Sequence, residues 1–153
     1  MPHYYNVSIR NLVYRLRKFK PVLEQHLKEE VENHADILSQ YTRERLWIGL
    51  DGYLKSIKPP YALRTIKNKL RKGQPIDRVT LRDTGKFYSS FRIEFDADGF
   101  RVVSTDEKSI FLIAKYGEQI LRISNEDFNY FLRNYIRPAL AEKMKEYIIQ
   151  GKQ

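Results

Sequence analysis

The chain of 153 residues contains no cysteine, which excludes several kinds of chemistry at once. Without a thiol there is no disulfide framework, no thiolate nucleophile and no cysteine-bearing zinc site. Apolar runs are short, and none approaches the roughly 18 residues of a membrane span. The N-terminal MPHYYNVSIR also has no hydrophobic signal region. These absences predict a soluble protein that is made in the cytosol.

Histidine is scarce, and His3, His26 and His34 form no ligand pattern. His26 and His34 are eight residues apart, whereas one turn of helix separates the imidazoles of a shared metal site. No serine stands in a strand–turn–helix elbow that would expose a nucleophile. Asp96 and Asp98 resemble a carboxylate pair, but in a hairpin tip such side chains ordinarily bond the local backbone. We therefore predict no catalytic residue, no metal site, no cofactor and no enzymatic activity.

Positive charge is concentrated in two segments. The formal net charge is +9, and residues 1–20 carry five basic and no acidic side chains. Residues 55–72 carry seven and no acid, and these are the candidate partner or phosphate contacts: Lys55, Lys58, Arg64, Lys67, Lys69, Arg71 and Lys72. Localised charge of this kind creates a field that faces a partner. Three interpretations remain open: contact with nucleic-acid phosphates, contact with an acidic protein surface, or a solvated loop.

The first 50 residues have helical periodicity. Apolar residues recur at spacings of three and four from Ile9 to Phe19 and again from Leu23 to Tyr41. Pro21 is expected to break the helix or to restart it, so that a second helix runs from Pro21 to Trp47. Gly49 and Gly52 then suit a C-cap and a tight turn that end this helix. The outer face of the second helix is acidic: Glu24, Glu29, Glu30, Glu32 and Asp36. This face is either solvated or a contact for a basic patch on a neighbouring copy.

A sheet is predicted within residues 79–123. Phe91, Ile93 and Phe95 alternate with charged residues, the period of a half-buried strand. Residues 96–99 then supply a turn, and residues 100–104 form the returning strand. The apolar run at 110–114 is either a third strand or a helical turn, which periodicity cannot distinguish. Gly117 is expected to end this element.

The remaining segments connect or follow this sheet. Residues 53–77 are predicted to be a long basic loop with a short helix near residues 63–70, and residues 83–85 (DTG) to be a turn rather than a phosphate loop. Ser124 is a candidate N-cap for the C-terminal helix at 124–149, in which Pro138 should produce a kink or break. The predicted fold is a single α+β domain over residues 1–153. In it a small antiparallel sheet packs against N-terminal helices and a kinked C-terminal helix, and a long basic loop projects from the body.

Three pieces of the sequence resemble one protein family. DTGKFYSSF at residues 83–91, a following hairpin and KYG at residues 115–117 resemble the tail-completion (virion-morphogenesis or neck) proteins of tailed bacteriophages. Those proteins typically have a TG-x-[LF]-x-x-S motif before a hairpin, a later Tyr/Phe-Gly element and a C-terminal helix approached through proline. LWIGLDG at residues 46–52 is similar to a turn in the versions from phages of Bacteroides-type hosts. The chain departs from the family pattern at residues 124–136, where many relatives have only a loop.

The resemblance implies a structural role in the virion without enzymatic activity. It implies a head–tail connector or tail-completion protein, made in the host cytoplasm and incorporated into the neck. The implied partners are copies of itself in a ring, the neighbouring connector or portal-side proteins and the tail-tube proteins, together with non-specific contact with channel DNA and none with a membrane. The alternative is a basic nucleic-acid-binding protein that contacts phosphates through residues 55–72.

Overall fold

The computed structural model describes residues 8–150, which divide into two compact units. Unit 1 combines residues up to His34 with residues from Phe131 onward, and unit 2 comprises Ala35–Tyr130. Helices predominate, and a two-stranded antiparallel sheet lies in unit 2. The α+β prediction is therefore confirmed. Within residues 8–150, no helix combines the length and the apolarity needed to cross a bilayer.

Unit 1 is built on the packing of its first helix against its last. Helix α1 spans Ile9–Asn33 and contacts both a π-helical turn, Leu132–Ile136, and the final helix, Arg137–Ile148. The rings of Phe19 and Tyr147 are 5.0 Å apart, and Phe19 is buried. The Arg15 side chain donates a hydrogen bond of 2.6 Å to the carbonyl of Ile148. These contacts join the two ends of the described chain.

The break in the N-terminal helices occurs at His34, so the expectation of a break at Pro21 was wrong. Helix α1 continues through Pro21 to Asn33, and α2 spans Ala35–Trp47. Proline removes one backbone donor, yet Phe19 and Val31 are buried on either side of it. That burial favours a continuous helix over the break that proline favours locally.

The kink predicted near Pro138 is confirmed. Helix α6, Asn125–Phe131, passes into the π-helical turn, where the N–H of Arg137 bonds the carbonyl of Leu132, five residues earlier. Pro138 lies at the start of the next helix and cannot donate to the preceding turn. A π-helical turn is a known way to accommodate such a lost bond.

Unit 2 holds the sheet and most of the short helices. In chain order its elements are α2, α3 (Leu63–Arg71), α4 (Lys86–Ser89), β1 (Phe91–Phe95), β2 (Phe100–Ser104), α5 (Ser109–Tyr116), a 3₁₀ turn (Glu118–Ile120) and most of α6. The final helix of unit 1 is α7. Strands β1 and β2 pair along their whole length, from Phe91 opposite Ser104 to Phe95 opposite Phe100. Along β1 burial alternates as predicted, with Phe91 buried and Arg92 and Glu94 exposed.

The core of unit 2 joins the sheet to α2, α5 and the loops between them. Its buried side chains are Leu46, Ile57, Val79, Leu81, Phe87, Tyr88, Phe91, Val102, Tyr116, Ile120 and Leu121. Rings of Phe87 and Phe91 meet edge to face with centroids 5.0 Å apart. Eleven such residues supply most of the apolar burial that stabilises this unit.

The sheet is smaller than residues 79–123. Residues 110–114 are helical, because helical spacing buries Ser109 and Tyr116 on one side of α5 while Ile110 and Phe111 stay exposed. Gly117, with φ 90°, ends α5 as predicted. Residues before β1 form the one-turn helix α4 rather than the start of a strand.

Two glycines end α2, as the sequence predicts. Gly49 has φ 83°, and its N–H bonds the carbonyl of Leu46 at 2.9 Å, a left-handed helix cap. Gly52 donates at 2.8 Å to the carbonyl of Gln119. Between them, the buried Asp51 carboxylate accepts from the N–H groups of Tyr53 and Lys55 at 2.8 and 3.0 Å. This turn therefore connects the end of α2 to the 3₁₀ turn.

Candidate functional site: a basic cleft in unit 2

A cleft of about 380 Å³ lies in unit 2 and is lined by α3, residues 81–87 and α5. We call it the basic cleft. Five cations line it: Lys69, Lys72, Arg82, Lys108 and Lys115. Its apolar lining consists of Tyr61, Leu81, Phe87, Leu112 and Tyr116. Asp83 and Asp106 are its acidic members, so the lining carries a net charge of +3, five minus two.

Lys69 positions the α3 wall of the basic cleft. It is buried, and its Nζ donates to the carbonyl of Arg82 at 2.7 Å and to Oε1 of Gln74 at 3.3 Å. The same ammonium lies 4.8 Å from the centre of the Tyr61 ring. A buried ammonium with these partners is part of the fold rather than an open contact.

Tyr61 and Tyr88 hold the segment that follows α3. The Tyr61 hydroxyl accepts from the N–H of Thr80 at 2.9 Å and from that of Leu81 at 3.0 Å. The Tyr88 hydroxyl donates to the Thr80 carbonyl, and burial raises the pKa of the Tyr88 phenol. Leu81 has φ 55°, a conformation that these hydrogen bonds stabilise. These hydrogen bonds within the protein therefore fix the conformation of the cleft floor without a ligand.

The rim of the basic cleft contains one ion pair. Lys72 donates to Asp83, and this hydrogen bond lowers the pKa of the Asp83 carboxyl. Both side chains are about half exposed. An exposed pair of this kind adds little to stability, so Lys72 is available to exchange partners.

Three other cations of the rim form no salt bridge among residues 8–150: Arg82, Lys108 and Lys115. Lys108 is nevertheless close enough to Asp83 to help lower the pKa of that carboxyl. Lys115 lies 5.2 Å above the Tyr116 ring, and Arg82 lies 5.4 Å from the Trp47 ring. All three are exposed. The cleft therefore presents positive charge that the described chain does not neutralise.

The structure separates the seven basic residues of the 55–72 segment. Only Lys69 and Lys72 line the basic cleft. Arg64, Lys67 and Arg71 are exposed at spacings of three and four and share another face of α3. Lys55 closes the Asp51 turn by accepting from the Asp51 N–H at 2.8 Å, and Lys58 precedes Pro59 in a cis peptide.

Sequence reasoning did not identify Arg82, Lys108 and Lys115. Arg82 belongs to one stretch and Lys108 and Lys115 to another, and neither stretch is a run of basic residues like that at 55–72. Tertiary packing of residues 81–87 against α5 brings them together. A pattern read along the chain contains no sign of this arrangement.

Of the residues considered for metal binding and catalysis, His26, His34 and Asp96 have local structural partners. His26 and His34 pair with Glu29 and Glu30 of the same helix, at 3.3 and 3.6 Å. Among residues 8–150 no three His, Asp or Glu side chains are placed to hold a metal ion, and His3 lies outside this range. Asp96 Oδ1 caps the hairpin turn by accepting hydrogen bonds from the N–H groups of Asp98 and Gly99, both at 2.9 Å.

Residues 83–85 form a turn rather than a phosphate loop. Gly85 has φ 88° and leads directly into α4, which is one turn long. Thr84 accepts only a long bond of 3.4 Å from the N–H of Lys86.

No family model, curated protein or solved structure matches this chain.

Proposed function

We propose that this protein is a non-enzymatic structural component of a tailed-phage virion. In this role it is a tail-completion or head–tail connector protein and forms part of a neck ring that joins the tail to the portal complex. The observation that supports the proposal is that the three resembling pieces of sequence, residues 46–52, 83–91 and 115–117, pack around one core.

Each of these pieces contributes at least one buried side chain to that core. Leu46, Phe87, Phe91 and Tyr116 are buried members of the unit 2 core. The turn at residues 46–52 is also tied to the segment after KYG through the Gly52–Gln119 hydrogen bond. Pieces that are distant in sequence and yet form one core are what a shared fold requires. Their spatial association supports treating the resemblance as one pattern rather than three coincidences.

Exposed apolar side chains on three helices support a role in assembly. Leu63 and Leu70, two turns apart on α3, are 78% and 57% exposed. Ile110 and Phe111 at the start of α5 are 72% and 74% exposed, and Ile9 on α1 is 80% exposed. Large exposed apolar side chains in groups mark protein–protein contact sites. A connector subunit covers such side chains when it joins its neighbours.

Deletion of the gene from the phage genome that carries it tests this proposal. The expected particles are DNA-filled heads and complete tails that have not joined, seen by electron microscopy. Supplying the protein from a plasmid should restore joined particles. Normal virions from the deletion strain would overturn the proposal.

A second candidate function is non-specific binding of nucleic acid through α3. Its supporting observation is the exposed row formed by Arg64, Lys67 and Arg71. Such a row neutralises phosphates and releases counterions, so affinity for duplex DNA should fall steeply with salt. Changing all three to alanine should reduce the salt slope by about one per residue. Weak binding with no dependence on salt would exclude this function.

A further inference from the structure

We propose that the hairpin tip of one copy, residues 96–99 (DADG), occupies the basic cleft of the next copy. The inference rests on the proposed function, because it supplies the contact by which copies assemble into a ring. Both surfaces lie within unit 2, so the contact involves a single compact part of each copy.

The hairpin places its tip and the basic cleft at opposite ends. Phe87 lies just before β1 and Asp106 just after β2, and both line the cleft. The strands stay paired up to Phe95 and Phe100, next to the tip. Four residue steps along a strand span roughly 14 Å. A hairpin paired along its whole length does not fold back, so the tip reaches the cleft of another copy and not its own.

The charges of the two surfaces are opposite. The lining of the basic cleft has a net charge of +3, and Arg82, Lys108 and Lys115 form no salt bridge within residues 8–150. The tip carries Asp96 and Asp98. Asp98 is exposed, and no cation among residues 8–150 pairs with it. Opposed potentials of this kind steer encounter and fix the register of a contact.

The tip is ordered before it docks. Besides the two bonds to Asp96 Oδ1, the Asp96 N–H donates to the Gly99 carbonyl at 2.9 Å. The rings of Phe95 and Phe100 meet at its base, 6.0 Å apart, and Phe100 also contacts Phe128. A surface already in its bound conformation loses little entropy on association. Ala97 and Gly99 add little side-chain bulk to the tip.

The contact is heterologous, because a tip meets a cleft and each copy has one of each. Head-to-tail contacts of this type generate closed rings when the rotation between copies closes, and filaments when it does not. The proposed contact therefore gives directly the kind of assembly that a neck ring requires.

Disulfide cross-linking tests the contact. The chain has no native cysteine, so any disulfide must form between the introduced cysteines. Ala97→Cys in the tip and Thr84→Cys in the cleft lining are made in separate full-length proteins, mixed and oxidised. We expect a disulfide-linked heterodimer. Ala97→Cys mixed with Lys67→Cys, whose side chain is on the exposed basic face of α3, is the matched control. Cross-linking no greater than in this control would overturn the inference.

Charge reversal tests it independently. Asp98→Lys, and Lys108→Glu combined with Lys115→Glu, should each weaken self-association by on the order of tenfold or more. In a mixture of the two proteins, the acidic tip of the double variant meets the basic cleft of Asp98→Lys, and the reversed tip meets the reversed cleft. Both contacts between unlike copies then join opposite charges, so assemblies larger than a pair should form again in sedimentation velocity. Glu107→Lys, an exposed change outside the cleft lining, is the control. Circular dichroism verifies that each variant is folded.

The outcomes separate this inference from the proposed function. Rings that persist in Asp98→Lys would overturn the tip contact and leave the connector role standing. Normal virions without the gene would overturn the connector role even if the cross-link forms. Protection of Thr84→Cys from alkylation by duplex DNA, with no cross-link to Ala97→Cys, would assign the basic cleft to phosphates instead.

Discussion

Nη1 of Arg45 lies 3.5 Å from Oδ2 of Asp127, and this pair links α2 to the first turn of α6. Arg45 is 4% exposed, and its Nη2 donates to the carbonyl of Ile120 at 3.3 Å. Burial lowers the pKa of the Arg45 guanidinium, and Asp127 opposes that shift. Its buried Nε has no partner. The guanidinium therefore depends on a small number of contacts.

Asp127→Asn should destabilise the protein by about 1–3 kcal/mol, because it leaves a buried cation without its carboxylate. Urea unfolding followed by circular dichroism measures the change. Glu126→Gln is the matched control, since Glu126 is exposed in the same first turn of α6. Glu126→Gln should lower the free energy of unfolding by only about 0.5 kcal/mol, the contribution of an acidic side chain near the N-terminus of a helix. Equal losses in the two variants would mean that the pair with Arg45 contributes nothing.

Ser124→Ala should cost about 1 kcal/mol of unfolding free energy. Ser124 is buried, and its Oγ accepts from the N–H of Asp127 at 3.0 Å, the N-cap bond that the sequence predicts. Ser124→Asp, which retains an acceptor, should lose less stability than the alanine variant if the buried site accommodates the longer side chain. Thermal unfolding of both variants provides the comparison, and an alanine variant as stable as the wild type would contradict the capping role.

Gly52→Ala should destabilise the protein by about 3 kcal/mol, because an added methyl overpacks a close contact. Its Cβ would lie 2.5 Å from both the Cβ and the carbonyl oxygen of Arg122, and backbone cannot move aside cheaply. Gly73→Ala is the control. Gly73 has φ 64° and nothing within 4 Å of an added Cβ. Gly73→Ala should therefore lose only the roughly 1 kcal/mol of unfolding free energy that a left-handed backbone costs a residue with a Cβ. Chemical denaturation compares the stabilities of the two variants. A Gly73→Ala protein less stable than Gly52→Ala would contradict the close contact at Gly52.

Tyr88 should make the protein lose stability at alkaline pH. Its folded pKa is raised above the ordinary value of 10.0, so both states are protonated below pH 10.0 and the stability is fully present there. Above pH 10.0 the unfolded chain releases the proton while the folded protein keeps it, and stability falls by about 1.4 kcal/mol per pH unit. Tyr88→Phe should be less stable at neutral pH, having lost the Thr80 bond, but should show a shallower alkaline decline. Tyr53→Phe, at an exposed position, is the matched control.

Much of the local structure was predictable from neighbouring residues. Alternation at Phe91, Ile93 and Phe95 predicted β1, and the following turn residues predicted the hairpin. Gly49 and Gly117 predicted two helix ends. In each case the deciding interactions span only a few residues, so they are visible in the sequence.

The basic cleft was only partly predictable. The short helix predicted near residues 63–70 is present as α3. The charge run at residues 55–72 did not indicate that Lys69 is buried or that Arg64 and Lys67 lie outside the cleft lining. Lys108 and Lys115 complete the cleft from a segment more than thirty residues further along the chain. Charge counted along the chain does not specify which side chains share a surface.

By itself, the sequence determined the fold class, the hairpin, the helix caps and the concentration of positive charge, because these follow from local backbone preference and composition. Tertiary structure decided three other features: α1 continues through Pro21, residues 110–114 are helical, and Arg82, Lys108 and Lys115 meet at one cleft. In each of these, burial of side chains distant in sequence outweighs or supplements the local preference. Long-range contacts of that kind form only when the whole chain has folded.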